Sequence, residues 1–277
     1  MLLLLHVLML SLLSGGSAKV VKDFEKECGQ FFANGKSPTR FPDPQYRQIC
    51  QTLNDEVYYA TFYNTSNRIP VYSAYKFEGI KNCTRIVKWY IEPQLDDNNA
   101  SPNMKLEKDV KIQGLGDHQA INEDYKNSKY ERGHLEPVFQ AQSQGCADAT
   151  FTLTNAAPQN SSFNRGQWRV LERNIAKNLS NQCPPNMYSF YIVTGVVPGT
   201  KIINNRVKVP SHFWTAYCCL DNNKKPHFSG GFIGVNENFP PEEKTVKDLE
   251  TELAKLYKVE SFEVFNYSTE PPAKKRK

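Results

Sequence analysis

Between Tyr130 and Asn174 the chain gathers side chains whose types suit one another. His134 stands behind Glu131, Arg132 and Gly133; Asn155 and Asn164 follow nine residues apart, and Glu172 comes eight residues after the second. A neutral imidazole accepts a proton near pH 7. An amide oxygen such as that of Asn164 is a hard ligand of the kind Mg²⁺ takes, since that ion keeps most of its waters and needs few protein groups. Glu172 can hold one of those waters and orient the hydrated ion. The Arg132 guanidinium offers paired donors to phosphate oxygens, and Gly133 lets backbone approach closely. Asn155 can hold the loop or touch the phosphate. A base, a cation and donors for developing negative charge are what phosphodiester hydrolysis requires. Each residue alone also has an ordinary structural explanation, so the weight rests on the set.

The elements that must position this set are legible in outline. Ser161 or Ser162 can cap a helix, and Phe163, Trp168, Leu171, Ile175 and Leu179 recur at roughly helical intervals after it. On that helix Asn164, Trp168 and Glu172 fall at i, i+4 and i+8 and share a face, with Trp168 assigned to packing. Strands are expected from Glu56 to Phe62, Arg68 to Phe77, Thr84 to Pro93 and Tyr188 to Gly199, and over 212–220 and 228–236. FEVF (262–265) reads as a last short strand. Residues 94–129 read as loop, and 246–259 as an amphipathic helix with Val246, Leu249, Leu253 and Leu256 on one face. Strands on both sides of a central helix, without a βα repeat, give the class α+β, an antiparallel or mixed sheet in a single domain.

The 277 residues can bury a sizeable core, and 12% aromatic content excludes a disordered chain. A net charge of +5 is compatible with a polyanionic partner. The apolar run from Leu2 to Leu13, followed by Gly16-Ser17-Ala18, reads as a cleaved signal peptide over 1–18, and no other stretch is long enough for a membrane span. Seven cysteines without a CxxC pair read, in an oxidising compartment, as up to three disulfides and one odd thiol. Sequons at Asn64, Asn82, Asn99, Asn160, Asn178 and Asn266 agree with export, with Asn160 expected unmodified because a glycan there would obstruct the site. Residues 19–55 look like a disulfide-tied lead-in of little regular structure, 56–268 like the main domain, and 269–277 like a basic, solvated tail. His118, His212 and His227 share no metal spacing and read as structural or exposed.

The central stretch resembles the DNA/RNA non-specific endonucleases with a ββα-metal finger. Their motif is Asp-Arg-Gly-His, then Asn-x-x-Pro-Gln-x-x-x-x-Asn-x-x-x-Trp-x-x-x-Glu; here it stands as Glu131-Arg132-Gly133-His134, Asn155, Pro158-Gln159, Asn164, Trp168 and Glu172. The resemblance implies the ββα-metal nuclease fold and a secreted or luminal endonuclease acting on DNA and RNA through phosphate, with little sequence preference. It implies His134 as general base, Asn164 as sole protein ligand of a hydrated Mg²⁺ (or Mn²⁺), Glu172 as brace of a metal water, and Asn155 and Arg132 as aids to phosphate positioning. Two positions depart: Glu131 replaces the usual Asp, and Ala176 stands where bacterial secreted members carry an arginine, with Arg173 the nearest substitute. These departures motivate a second class, a catalytically weak or inactive nucleic-acid-binding or immune interaction protein on the same scaffold.

Overall fold

The structure is a computed structural model that describes residues 20–184 and 187–266; the expected signal segment and basic tail lie outside them. Twelve strands are present among the described residues: β1 (Val20–Val21), β2 (Tyr46–Leu53), β3 (Glu56–Asn64), β4 (Ile69–Lys76), β5 (Tyr90–Ile91), β6 (Lys105–Leu106), β7 (Tyr130–His134), β8 (Ala156–Asn160), β9 (Ser189–Ile203), β10 (Val207–Leu220), β11 (Pro226–Val235) and β12 (Glu242–Lys244). The helices are α1 (Phe24–Cys28), α2 (Pro93–Asp96), α3 (Asn122–Tyr125), α4 (Gln144–Ala149), α5 (Ser161–Phe163), α6 (Arg169–Gln182) and α7 (Val246–Tyr257). This is the α+β architecture expected.

Eight strands form one antiparallel sheet in the order β1-β2-β3-β4-β9-β10-β11-β12. Tight turns set its register. Asn54 and Asp55 between β2 and β3, and Asn204 and Asn205 between β9 and β10, are pairs of left-handed residues. Two positive φ values in succession match the twist of the flanking strands. Both sheet faces are covered, so the central strands are nearly continuous in apolar residues rather than alternating with polar ones. On β10, Trp214, Ala216 and Cys218 project into one core with Phe24, Phe62, Leu249 and Leu253. Phe213, Tyr217 and Cys219 project into the other with Trp168, Leu171 and Ile175. The first layer is α1, α7 and the segment with Phe262, Val264 and Phe265. The second layer carries the motif: β7 and β8 pair as a separate two-stranded ribbon, and the helical segment from Ser161 follows directly.

Three local expectations fail. Tyr46–Leu53 is a full strand inside the sheet, not part of an irregular lead-in. Its polar look is misleading, because Gln51 is buried and its Nε2 donates to Thr154 Oγ1 at 2.8 Å, while its Oε1 has no partner among the described residues. Within residues 84–93 only Tyr90–Ile91 is strand; residues 84–89 are irregular and Pro93 begins α2. FEVF forms no strand, yet Phe262, Val264 and Phe265 are buried, and Glu250 Oε1 accepts from the Val264 amide at 2.7 Å. In FEVF hydrophobicity reported burial, and burial does not require a ladder; residues 84–89 are exposed or half-buried instead.

Two of the expected disulfides are formed, Cys28–Cys50 and Cys183–Cys219. The other histidines are structural or exposed: His118 faces Asp96, His212 meets Ser211, and His227 stacks on Tyr188. Among the described residues no helix is long and apolar enough to cross a membrane.

Candidate active site

The ribbon presents the motif. β7 and β8 pair from Tyr130 opposite Asn160 to His134 opposite Ala156. Gly133 is required because a Cβ there would lie 2.2 Å from Gln159 Oε1 and 2.6 Å from Gln159 Cβ. The glycine of the motif therefore makes room for the glutamine of the motif, and not for a ligand. Asn236 fastens the ribbon to the sheet, its Nδ2 donating to the Pro158 and Pro210 carbonyls and its Oδ1 accepting from the Asn160 amide. Asn160 Oδ1 accepts from the Ser162 and Phe163 amides and so caps α5.

The helix is not continuous. A π turn over Asn164–Trp168 separates α5 from α6. The extra residue in that turn shifts the i, i+4, i+8 stripe expected from an ideal helix. Asn164 and Glu172 nevertheless line the same cleft as His134. Trp168 turns inward, 1% exposed, against Phe163 and Phe213.

That cleft has a volume of about 810 Å³, and Lys81, Arg85, Arg132, Arg165, Arg169 and Arg173 line it against two acids, Glu131 and Glu172. His134 sits on its wall between the rings of Trp89 (centroids 5.0 Å apart) and Phe151 (4.9 Å, edge-on). Among the described residues its Nε2 has no hydrogen-bond partner. Burial and then the nearby Arg85 charge depress its pKa to about 3, so the imidazole is neutral. Arg132 stacks over Trp89 and Tyr125 and donates from Nη2 to Asn122 Oδ1 at 3.1 Å; burial lowers its pKa.

Asn164 Nδ2 donates to Glu131 Oε2 at 2.8 Å, and Arg165 closes an ion pair on the other oxygen of the same carboxylate. The extra methylene of Glu131, relative to Asp, thus reaches the helix. Among the described residues Asn164 Oδ1 has no hydrogen bond within the protein. Burial raises Glu172 to about 8, opposed by Arg85 and by the Trp168 indole, which faces the carboxylate without closing to a hydrogen bond. Gln140 links α6 to the sheet, Nε2 donating to the Glu172 carbonyl while Oε1 accepts from the Tyr75 hydroxyl.

Asn155 stands apart. It is fully buried, with Oδ1 accepting from Ser73 Oγ and the Glu136 amide and Nδ2 donating to the Glu136 and Thr150 carbonyls. Of its two possible roles, this geometry performs the holding of the loop after His134. Ala176 is also fully buried and faces the core. Sequence reasoning missed Arg85 and Trp89. Both lie in the stretch read as a strand, where β-branched and aromatic residues masked a cleft wall.

The sequence profile described as DNA/RNA non-specific endonuclease matches residues 38–274. The endonuclease domain-containing 1 protein of Homo sapiens is 36% identical over 200 residues, covering 70% of this chain and 39% of that protein. Its Mus musculus counterpart is 33% identical over 201 residues, covering 70% and 38%. The mitochondrial endonuclease G of Homo sapiens is 33% identical over 111 residues, covering 35% and 36%. The chain thus spans somewhat under two fifths of the length of these curated relatives. In fold it is similar to the solved EndoG/EndoGI complex, with a TM-score of 0.54 at 21% identity over 86% of this chain and 91% of that one. With the profile running through the ribbon, the helix and most of the sheet, the chain belongs to the DNA/RNA non-specific endonuclease family.

Proposed function

We propose that this chain is a secreted or luminal endonuclease that hydrolyses phosphodiester bonds of DNA and RNA with a hydrated Mg²⁺, Mn²⁺ being a substitute. The observation that supports it most is that His134, Asn164 and Glu172, from a strand and a helical segment, line one cationic cleft. His134 takes the proton of the attacking water. Its low pKa rises when an anionic phosphate arrives to oppose Arg85, which moves the base toward the range where proton transfer is efficient.

The donor set fits a hard hydrated dication. Asn164 is held by Glu131 through its nitrogen, leaving its oxygen for a ligand, and Glu172 stands on the same wall as an acceptor for a bound water. When bound, the ion supplies positive charge to the pentavalent phosphate and its leaving oxygen. Asn155 keeps the chain after His134 in place as a positioning residue. Arg132, stacked between two rings, offers its charge at a fixed orientation.

Little sequence preference follows, because these groups address phosphate and metal rather than base edges. Two disulfides support an oxidising compartment. Arg85, Arg169 and Arg173 supply cations in the cleft where Ala176 supplies none, which favours turnover over a binding-only scaffold. The test is plasmid cleavage by the mature protein with Mg²⁺, with EDTA and as His134→Ala. Activity should be lost with EDTA and fall by roughly 10²–10⁴-fold in the variant. Folded protein that binds DNA without cutting it, unaffected by His134→Ala, would establish the binding-protein reading instead.

A further inference from the structure

Three cysteines remain outside the two disulfides. Cys218 projects into the core on the α7 side of the sheet. Cys83 and Cys146 instead pack against the same opposite core, beneath the cleft. Cys146 lies in α4, fully buried, its Sγ 3.1 Å from Glu136 Oε1. Cys83 is half-buried on the irregular cleft wall that also carries Arg85 and Trp89.

The two chain segments already touch. Thr84, next to Cys83, donates to Gln144 Oε1 from its amide at 2.9 Å and from its hydroxyl at 3.0 Å, and its carbonyl accepts from Gln144 Nε2 at 3.0 Å. Gln144 is two residues from Cys146, and a charge on Cys83 would be felt at the Cys146 thiol. Three mutual hydrogen bonds hold one backbone segment against the other, with one thiol on each. Wall residues 78–89 otherwise have no ladder of their own, and Val87 is 94% exposed.

We propose that Cys83 and Cys146 form a third disulfide, which fastens the irregular cleft wall to α4 and holds Arg85 and Trp89 over His134. The oxidant is a small-molecule or protein disulfide of an oxidising compartment. The Cys83 thiolate attacks it, forming a mixed disulfide and releasing one thiol. The Cys146 sulfur then attacks Cys83 and releases the second thiol, its own proton passing to the departing sulfur. Two protons and two electrons leave the pair, and the oxidant's S–S bond is replaced by the new one.

The experiment uses the mature protein secreted from an oxidising host and kept free of reductant. Denaturation in an alkylating reagent should label one thiol, and a non-reducing peptide map should show Cys83 joined to Cys146. Three labelled thiols, or either residue joined elsewhere, would overturn the proposal whatever the nuclease assay gives. Cys83→Ser, on the partly exposed partner, should then speed tryptic cleavage at Lys81, Arg85 and Lys88 by about tenfold or more. Cys146→Ala should do the same; unchanged cleavage in both would remove the fastening role.

Discussion

At the scale of single residues, the site sets chemistry against stability. Glu172 is raised from 4.5 to about 8 by burial, so the folded chain holds that proton more tightly than the unfolded one. Its stabilising contribution is fully present below the unfolded value and is lost as pH rises toward 8. Glu172→Gln avoids that loss. The melting temperature of the variant should therefore lead the wild type increasingly between pH 4.5 and about 8, by on the order of 5 °C at the upper end, while Mg²⁺-dependent cleavage falls by about 10–100-fold. A wild type that melts higher at pH 8 would contradict this. Asn155 is the opposite case, a polar side chain used entirely for structure. Asn155→Ala leaves the Glu136 amide and two carbonyls without partners in a buried place. A loss of about 3–5 kcal/mol in urea unfolding is expected; a loss under about 1 kcal/mol would mean that water replaces the amide.

At the scale of elements, the π turn and the irregular wall decide what the cleft offers. Arg85 comes from the wall and Arg173 from α6, and both line the cleft. If a polynucleotide crosses between them, Arg85→Ala and Arg173→Ala should each weaken binding of a short duplex. Each should also lower the slope of log K against log salt by about 1, measured without metal so that cleavage does not interfere. An unchanged slope would place the phosphate path elsewhere. The β7–β8 ribbon was implied only by the family resemblance; the motif spacing located the helix start to within about a residue, though the cap is Asn160 and not the expected Ser161 or Ser162. It did not show the π turn, since a one-residue register change is set by packing of Trp168 against Phe163 and Phe213. Nor did it show that residues 84–89 are irregular, since β-branched and aromatic residues there serve a cleft wall as well as a strand.

At the scale of the whole molecule, one sheet divides two cores, and the site depends on both. Cys28–Cys50 ties α1 to β2, which are 22 residues apart at the cysteines. β2 in turn supplies Gln51, whose amide meets Thr154 beside Asn155. Replacing both cysteines by serine should cost about 3 kcal/mol of stability in the loop-entropy account, read as a lower urea midpoint. A change under about 0.5 kcal/mol would show that the native contacts of α1 already provide that restraint.

The sequence by itself determined the class of fold, the main strands, α7 and the set of chemically able residues. These depend on periodicity, turn residues and motif spacing, which act over a few neighbours along the chain. Tertiary structure alone decided which members of the set face the cleft. Asn155 and Asn164 are the same residue type nine positions apart, yet one is enclosed by four hydrogen bonds and the other keeps an oxygen without a partner among the described residues. Residues 73, 131, 136 and 150 make that difference. Burial, and with it the pKa of His134 and Glu172, belongs to contacts brought together from distant segments, and no local pattern encodes it.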